Sequence, residues 1–464
     1  MMRRPRQAWQ ALRRLQVEEQ AIAAVIVLAV VAQLLVQGPG IWWDEAVYLG
    51  LADGLRAGVY SLDAAQPVES FRPPLLPALL AAVPFPAALP FALSLLAIVA
   101  TFVLARPFGR PAALLATLFL ATNTLFAFFF TKLLTESLFI VLLSLSLLVF
   151  LRDTRRGLAV AGLFAGMAFL SRYLATVLIL SFLLVLIARR QGRGLVFFLI
   201  PLVAVLVPWV VLNMATYGSP FAGYFVNAGV YAASVPQSLA AGVVDILNAW
   251  TYLVLLLVAF FTIARREALG RFLPVTVLAV MSIIVYLALP HKEPRYLLSF
   301  FPAYAVLAAV GAQRLGIRRV VAPILVVSLL TLGLGINQAQ HDVQAAAVVD
   351  AAAYLKTVSA PGDRILTQSY PFVYALADRT AVPYCPFPQD AFDACQQQIL
   401  NDEFPLATLK ETIDREHPAF ALSYAYEPAN PPAAREYLDA HFERIQTFAQ
   451  WGDPEAVVVY QKKE

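Results

Sequence analysis

Asp44 and Glu45 stand side by side behind Trp42-Trp43, just after the first long apolar run, Ala21 to Gln37. Adjacent carboxylates where a chain leaves a bilayer suit proton abstraction at the membrane surface. Other polar groups interrupt apolar sequence in the same way. They are Glu69, Arg72 in Phe71-Arg72-Pro73-Pro74, Lys132, Glu136 after Thr135, Arg172 after Ser171, and the run His291-Lys292-Glu293-Pro294-Arg295-Tyr296. Arginine offers bidentate phosphate contacts, lysine a less directional charge, and tyrosine an amphipathic interface contact. Arg295 is therefore the leading phosphate ligand, with Lys292 beside it, while His291 alone is weak evidence for a metal.

Each candidate has a plainer reading. Asp44 suits a helix N-cap with Glu45 in the first turn. Glu136 and Arg172 border runs, Ser137 to Leu151 and Gly157 to Leu170, that give helices of about 22 and 21 Å against a hydrocarbon core of about 30 Å. Both groups then sit below the outer surface, where ionisable side chains face a cavity or one another. A functional site and a structural ion pair are both open at this point. A divalent ion near Asp44, Glu45 and Glu69 would assist phosphate binding, because hard cations take carboxylate oxygens. The sequence requires neither metal nor other cofactor.

The elements that must position these groups are membrane helices. Of 464 residues, 60% are apolar and 14% charged, against about a quarter charged in soluble domains. Eleven spans are expected, near 20–37, 88–105, 111–130, 137–151, 157–170, 173–188, 195–214, 244–263, 272–289, 296–313 and 320–337. The first reads as a retained anchor with a cytoplasmic amino terminus. Nineteen basic residues fall in one set of alternate loops or before the first span, and six in the other set: Arg56, Arg72, Lys132, Arg172, Lys292 and Arg295. Positive residues favour the cytoplasmic side, so all the candidate groups share the outer face of a cell or endomembrane. Topology also accounts for the basic pI, and no nucleic-acid binding is inferred.

Residues 1–337 thus form a transmembrane domain whose outer loop, 38–87, carries a short interfacial helix around Ala46 to Leu55. Residues 75–83 are too short to span and dip back into the interface. After Asn337 the composition turns mixed and polar, and residues 338–464 read as a small extracytoplasmic α/β domain. In it Val343–Lys356 is expected as a helix, Arg364–Thr367, Ala419–Tyr424 and Ala456–Tyr460 as strands, and 433–440 as a helix. Cys385 and Cys395 lie there, in a compartment that favours a disulfide, with two free thiols as the alternative.

At Asp44-Glu45, Arg72-Pro73-Pro74, Thr135-Glu136, Ser171-Arg172 and Glu293-Pro294-Arg295-Tyr296 the chain resembles the GT-C class of polytopic glycosyltransferases. Within that class it is most similar to the protein O-mannosyltransferase and lipid A aminoarabinose-transferase grouping. The resemblance implies a polyprenyl-phosphate sugar donor and transfer on the extracytoplasmic side to a protein, lipid or glycan. It also implies Asp44 as the acceptor-activating carboxylate supported by Glu45, and donor-phosphate contacts at Arg72, Arg172 or Arg295. A transporter or flippase of an anionic lipid-linked substrate is the alternative, and a membrane scaffold a third reading. No inverted repeat or pair of broken spans favours transport.

Overall fold

The computed structural model describes residues 4–35, 41–62, 69, 71–225, 238–240, 242–243, 269–341, 345–384, 406–425, 432–450 and 452–463. The expected span 244–263 and both cysteines, Cys385 and Cys395, lie outside them. The helices in chain order are α1 (Arg4–Leu35), α2 (Trp43–Arg56), α3 (Leu75–Ala82), α4 (Leu89–Ala105), α5 (Arg110–Ala121), α6 (Thr124–Phe129), α7 (Thr135–Phe150) and α8 (Arg155–Ser171). They continue with α9 (Thr176–Ala188), α10 (Gly192–Tyr217), α11 (Leu269–Ala288), α12 (Pro294–Ser299), α13 (Phe301–Leu315), α14 (Ile317–Gln340), α15 (Ala346–Val358), α16 (Leu406–Glu416) and α17 (Pro432–His441). The chain divides into two compact units, one of Met1–Gln37, Ser70–Leu76 and Ala87–His341, the other of Gly38–Glu69, Pro77–Pro86 and Asp342–Glu464.

In the first unit, among the described residues, α1, α4, α10 and α14 belong to segments long and apolar enough to cross a membrane, and α5, α7, α9 and α11 to shorter apolar helices. On α10, Val196, Ile200, Val203, Val207 and Val211 recur at helical spacing and are exposed, the pattern of a helix face toward lipid. Two of the expected spans are each broken in two. The run 111–130 stops at Thr122, and Asn123 starts α6 by accepting a hydrogen bond from the Phe126 amide at 3.1 Å. The run 296–313 breaks at Phe300, where Pro302 occupies the first turn of α13 and cannot supply the amide that a continuous helix needs.

Helices α7 and α8 form the hairpin that carries two of the candidate residues. Asp153 turns the chain with a left-handed φ of 49°. Thr154 then caps α8, its hydroxyl accepting from the Gly157 amide at 3.0 Å. Ser146 on α7 donates to the Ala161 carbonyl of α8 at 2.8 Å, pinning the pair mid-length. Farther on, a Cβ at Gly162 would lie 2.0 Å from the Phe198 carbonyl oxygen, so only glycine lets α8 approach α10 this closely.

The second unit contains strands β1 (Arg364–Leu366), β2 (Thr380–Val382), β3 (Phe420–Tyr424), β4 (Phe442–Gln450) and β5 (Asp453–Lys462), in the order β2-β1-β3-β5-β4. Strand β1 is parallel to β2 and β3, and β5 antiparallel to β3 and β4. All five side chains of β3 are buried, which fits a strand covered on both faces. One core gathers Val348 and Leu355 of α15, Ile365 of β1, Phe420 of β3 and Val457 and Val459 of β5. Ala46 of α2 is buried in that same core, with Ile41 and Trp43 packed against it. The short outer-loop helix thus belongs to the unit that holds the sheet.

Candidate active site

Glu136 is the second residue of α7, and Arg172 is the C-cap of α8. A carboxylate at a helix N-terminus and a guanidinium at a helix C-terminus both complement the backbone dipoles, so the hairpin favours each charge where it stands. The two meet in an ion pair, Arg172 Nη1 to Glu136 Oε1, at 2.5 Å. Both are shielded, with side-chain exposures of 14% and 3%. The other carboxylate oxygen of Glu136, Oε2, is buried without a hydrogen-bond partner among the described residues.

The segment between α11 and α13 brings the remaining groups together. Glu293 is the hub. Its carboxylate pairs with Arg295 Nε, stands 2.9 Å from His291 Nε2, and accepts from the Tyr296 hydroxyl at 3.1 Å. Burial pushes this carboxyl up, but the charge of Arg295, hydrogen bonds from Arg295 and His291, and the charge of Arg172 outweigh it and hold Glu293 below the ordinary range. Tyr296 joins the two halves. The Arg172 guanidinium lies 5.2 Å from its ring centroid and that of Arg295 6.0 Å, so two cations converge on one aromatic face system and feel each other's charge. The ring, an amphipathic interface contact in the sequence reading, is 6% exposed and packs against both arginines.

Lys292 and Lys132 are buried at 6% and 5% exposure. Lys292 donates to the Leu289 carbonyl at 2.6 Å, closing the turn after α11. Arg72 sits before α3 with its guanidinium 5.2 Å from the Phe71 ring.

In the second unit, Trp42 is the N-cap of α2, which places Asp44 and Glu45 at its second and third positions rather than making Asp44 the cap. Glu45 folds back so that its Oε2 accepts from the Trp42 amide at 2.8 Å, and it is 6% exposed. That bond is the carboxylate half of a capping box, and it fixes the start of the helix that presents Asp44. Glu69 donates its backbone amide to the Tyr60 carbonyl at 2.7 Å. Among the described residues no three His, Cys, Asp or Glu side chains gather as a metal site, so the grouping of Asp44, Glu45 and Glu69 around an ion is not formed.

Tyr370, whose ring lies 5.4 Å from that of Trp43 in an edge-on contact, carried no signal in the sequence. The centrality of Glu293 was also hidden, although two cationic neighbours within two positions were a signal for it.

Residues 75–216 match the family model described as dolichyl-phosphate-mannose-protein mannosyltransferase. Residues 239–354 match that of the Alg9-like mannosyltransferase family. No curated protein matches the sequence. Among solved structures, ArnT from Cupriavidus metallidurans bound to undecaprenyl phosphate superposes with a TM-score of 0.68 at 15% identity, over 95% of this chain and 97% of that one. Its apo state gives 0.66 at 16% identity, over 97% and 98%. The arabinofuranosyltransferase AftD from Mycobacteria gives 0.51 at 14% identity, over 96% of this chain and 40% of its own. Two mannosyltransferase family models match separate stretches, and the chain shares the ArnT fold along nearly its whole length, so it is similar to glycosyltransferases of the GT-C class.

Proposed function

We propose that the protein moves a sugar from a polyprenyl-phosphate donor to a protein, lipid or glycan acceptor on the extracytoplasmic side of the membrane. The observation that carries this reading is the convergence of Arg172 and Arg295 on Tyr296. Two guanidiniums held together against their mutual repulsion suit an anion that brings more than one negative charge. The departing lipid phosphate is such an anion. A guanidinium has five N–H donors, so each arginine takes a phosphate oxygen while still held by its carboxylate. ArnT, whose fold this chain shares, was solved with undecaprenyl phosphate, which supports a lipid-linked donor.

In this reading the acceptor hydroxyl gives its proton to Asp44, its oxygen bonds the anomeric carbon, and the bond from that carbon to the phosphate oxygen breaks. The electron pair stays on the phosphate, and the single displacement inverts the anomeric configuration. Negative charge grows on the phosphate as the bond breaks, so the arginines bind the transition state more tightly than the donor. Glu45 acts indirectly, by fixing the start of α2. The expected orientation, with an inside amino terminus, eleven spans and an outside α/β domain, belongs to the same reading.

The test gives purified wild type and Asp44→Asn a panel of polyprenyl-phosphate sugars, following lipid phosphate and glycosylated product by mass spectrometry. Product from wild type alone supports transfer with Asp44 as base. Equal product from both removes Asp44 from the chemistry. Movement of lipid-linked sugar across proteoliposomes without product favours the transport alternative.

A further inference from the structure

We infer that the C-terminal α/β domain positions the catalytic carboxylate, through an aromatic clasp of Trp43 by Tyr370 and Phe372. The inference rests on the reading of Asp44 as the base. Trp43 immediately precedes Asp44, and its ring meets Tyr370 edge-on at 5.4 Å and Phe372 edge-on at 6.1 Å. Such pairs prefer edge-to-face geometry, which fixes orientation as well as proximity.

Tyr370 has a telling place in the fold. Strand β1 is the first of the sheet and sits at a switch in strand order: its connection runs to β2 on one side, whereas that of its other neighbour, β3, runs to β4 on the far side. In open α/β sheets the carboxyl end of such a strand is where ligands bind. Here β1 ends at Leu366, and the chain passes through buried Thr367, Gln368 and Ser369 into Tyr370–Phe372. The ligand-binding end of the sheet is therefore used to grip the protein's own helix α2.

The grip continues along α2. Ala46 is fully buried in the sheet's core. One turn later, a Cβ at Gly50 would come 3.9 Å from the Cβ of Tyr374 and 2.6 Å from Leu62 Cδ2, so the helix lies close on both sides. Tyr374 is itself tied to the sheet, its hydroxyl donating to the Ala381 carbonyl of β2 at 2.8 Å. At its other end Arg56 donates to the carbonyls of Leu80 and Ala81 at 2.7 and 3.3 Å. The base is thus set by the domain at the far end of the sequence, which gives that domain a part in turnover distinct from donor binding.

The experiment compares wild type, Tyr370→Ala, Phe372→Leu and Tyr370→Phe in full-length protein. It measures kcat and KM with the active donor, and amide hydrogen exchange across 43–56 and across the sheet. Tyr370→Ala is expected to lower kcat about tenfold or more, because small misplacements of a reacting group are costly. The donor KM stays within about twofold, since substrate binding made elsewhere is untouched. Exchange rises in α2 and is unchanged in β3 and β5, Phe372→Leu follows in the same direction, and Tyr370→Phe restores kcat because the ring makes the contact. Unchanged α2 exchange in both Tyr370→Ala and Phe372→Leu overturns the inference whatever the activity, as does loosened α2 with unaltered kcat. No turnover by wild type with any donor, while α2 still loosens, fails the sugar-transfer reading and reduces the clasp to a structural contact.

Discussion

Glu293 accepts contacts from His291, Arg295 and Tyr296, so its ionised form organises Arg295. Because its folded carboxyl lies below the ordinary value, the native state holds fewer protons there than the unfolded chain. That contribution to stability is complete above the ordinary carboxylate pKa of about 4.3 and is lost as pH falls through the lower folded value. Thermal melting in detergent between pH 7 and pH 3 is expected to show a steeper acid-side decline for wild type than for Glu293→Gln. Parallel curves would show that Glu293 is not the group responsible. The Glu136–Arg172 pair gives a second case. Removing one partner from a buried pair costs about 3–5 kcal/mol, whereas removing both costs much less. Glu136→Ala should therefore melt well below wild type, and Glu136→Ala with Arg172→Met should recover part of the loss. Additive losses would mean that the two do not depend on each other. Such residues were legible in the sequence because charges stand out in apolar runs. Their ion pair was one of two readings the sequence left open, because Glu136 and Arg172 are 36 positions apart and meet only through the hairpin's register.

At the scale of elements, the α8–α10 contact is set by Gly162. A methyl group there would meet the Phe198 carbonyl at 2.0 Å, and backbone cannot rotate away as a side chain can. Gly162→Ala is expected to cost about 1–3 kcal/mol, the range for overpacking a close contact. Gly192→Ala, at a position where a Cβ meets nothing within 4 Å, should change stability by about 0.5 kcal/mol or less. Melting of the two variants beside wild type checks this, and equal shifts would refute the packing argument. The apolar blocks made most membrane helices legible, but not where they break. Residues 111–130 read as one run because Thr122 and Asn123 are only mildly polar, and the bond from the Phe126 amide that starts α6 is a local geometry that hydropathy does not register. In the second unit the helix 346–358 and three strands were legible from turns and alternation. Strand β4 was not, because it buries only its two end residues and so lacks an apolar face. Strand β2 is three residues long, too short to show a period.

For the whole molecule, composition alone was enough to read a membrane protein, because 60% apolar residues with 14% charged cannot be covered by a soluble surface. The division into units was not readable, since residues 38–69 cluster with residues beyond 341 and no local pattern encodes a contact across some three hundred positions. Charge still makes a global statement that can be checked. The nineteen basic residues of one loop set and the six of the other predict Arg155 inside and the C-terminal domain outside. Arg155 at the start of α8 and Lys410 on α16 are both exposed, so each can carry a reporter thiol without entering a core. With Cys385 and Cys395 replaced by serine, a cysteine at Lys410 should react with an impermeant maleimide in right-side-out vesicles. A cysteine at Arg155 should react only after permeabilisation. The reverse pattern would put Arg172, Arg295 and the sheet on the cytoplasmic side. Transfer would then draw on the opposite leaflet, and the extracytoplasmic reading would fail even if sugar transfer itself were observed.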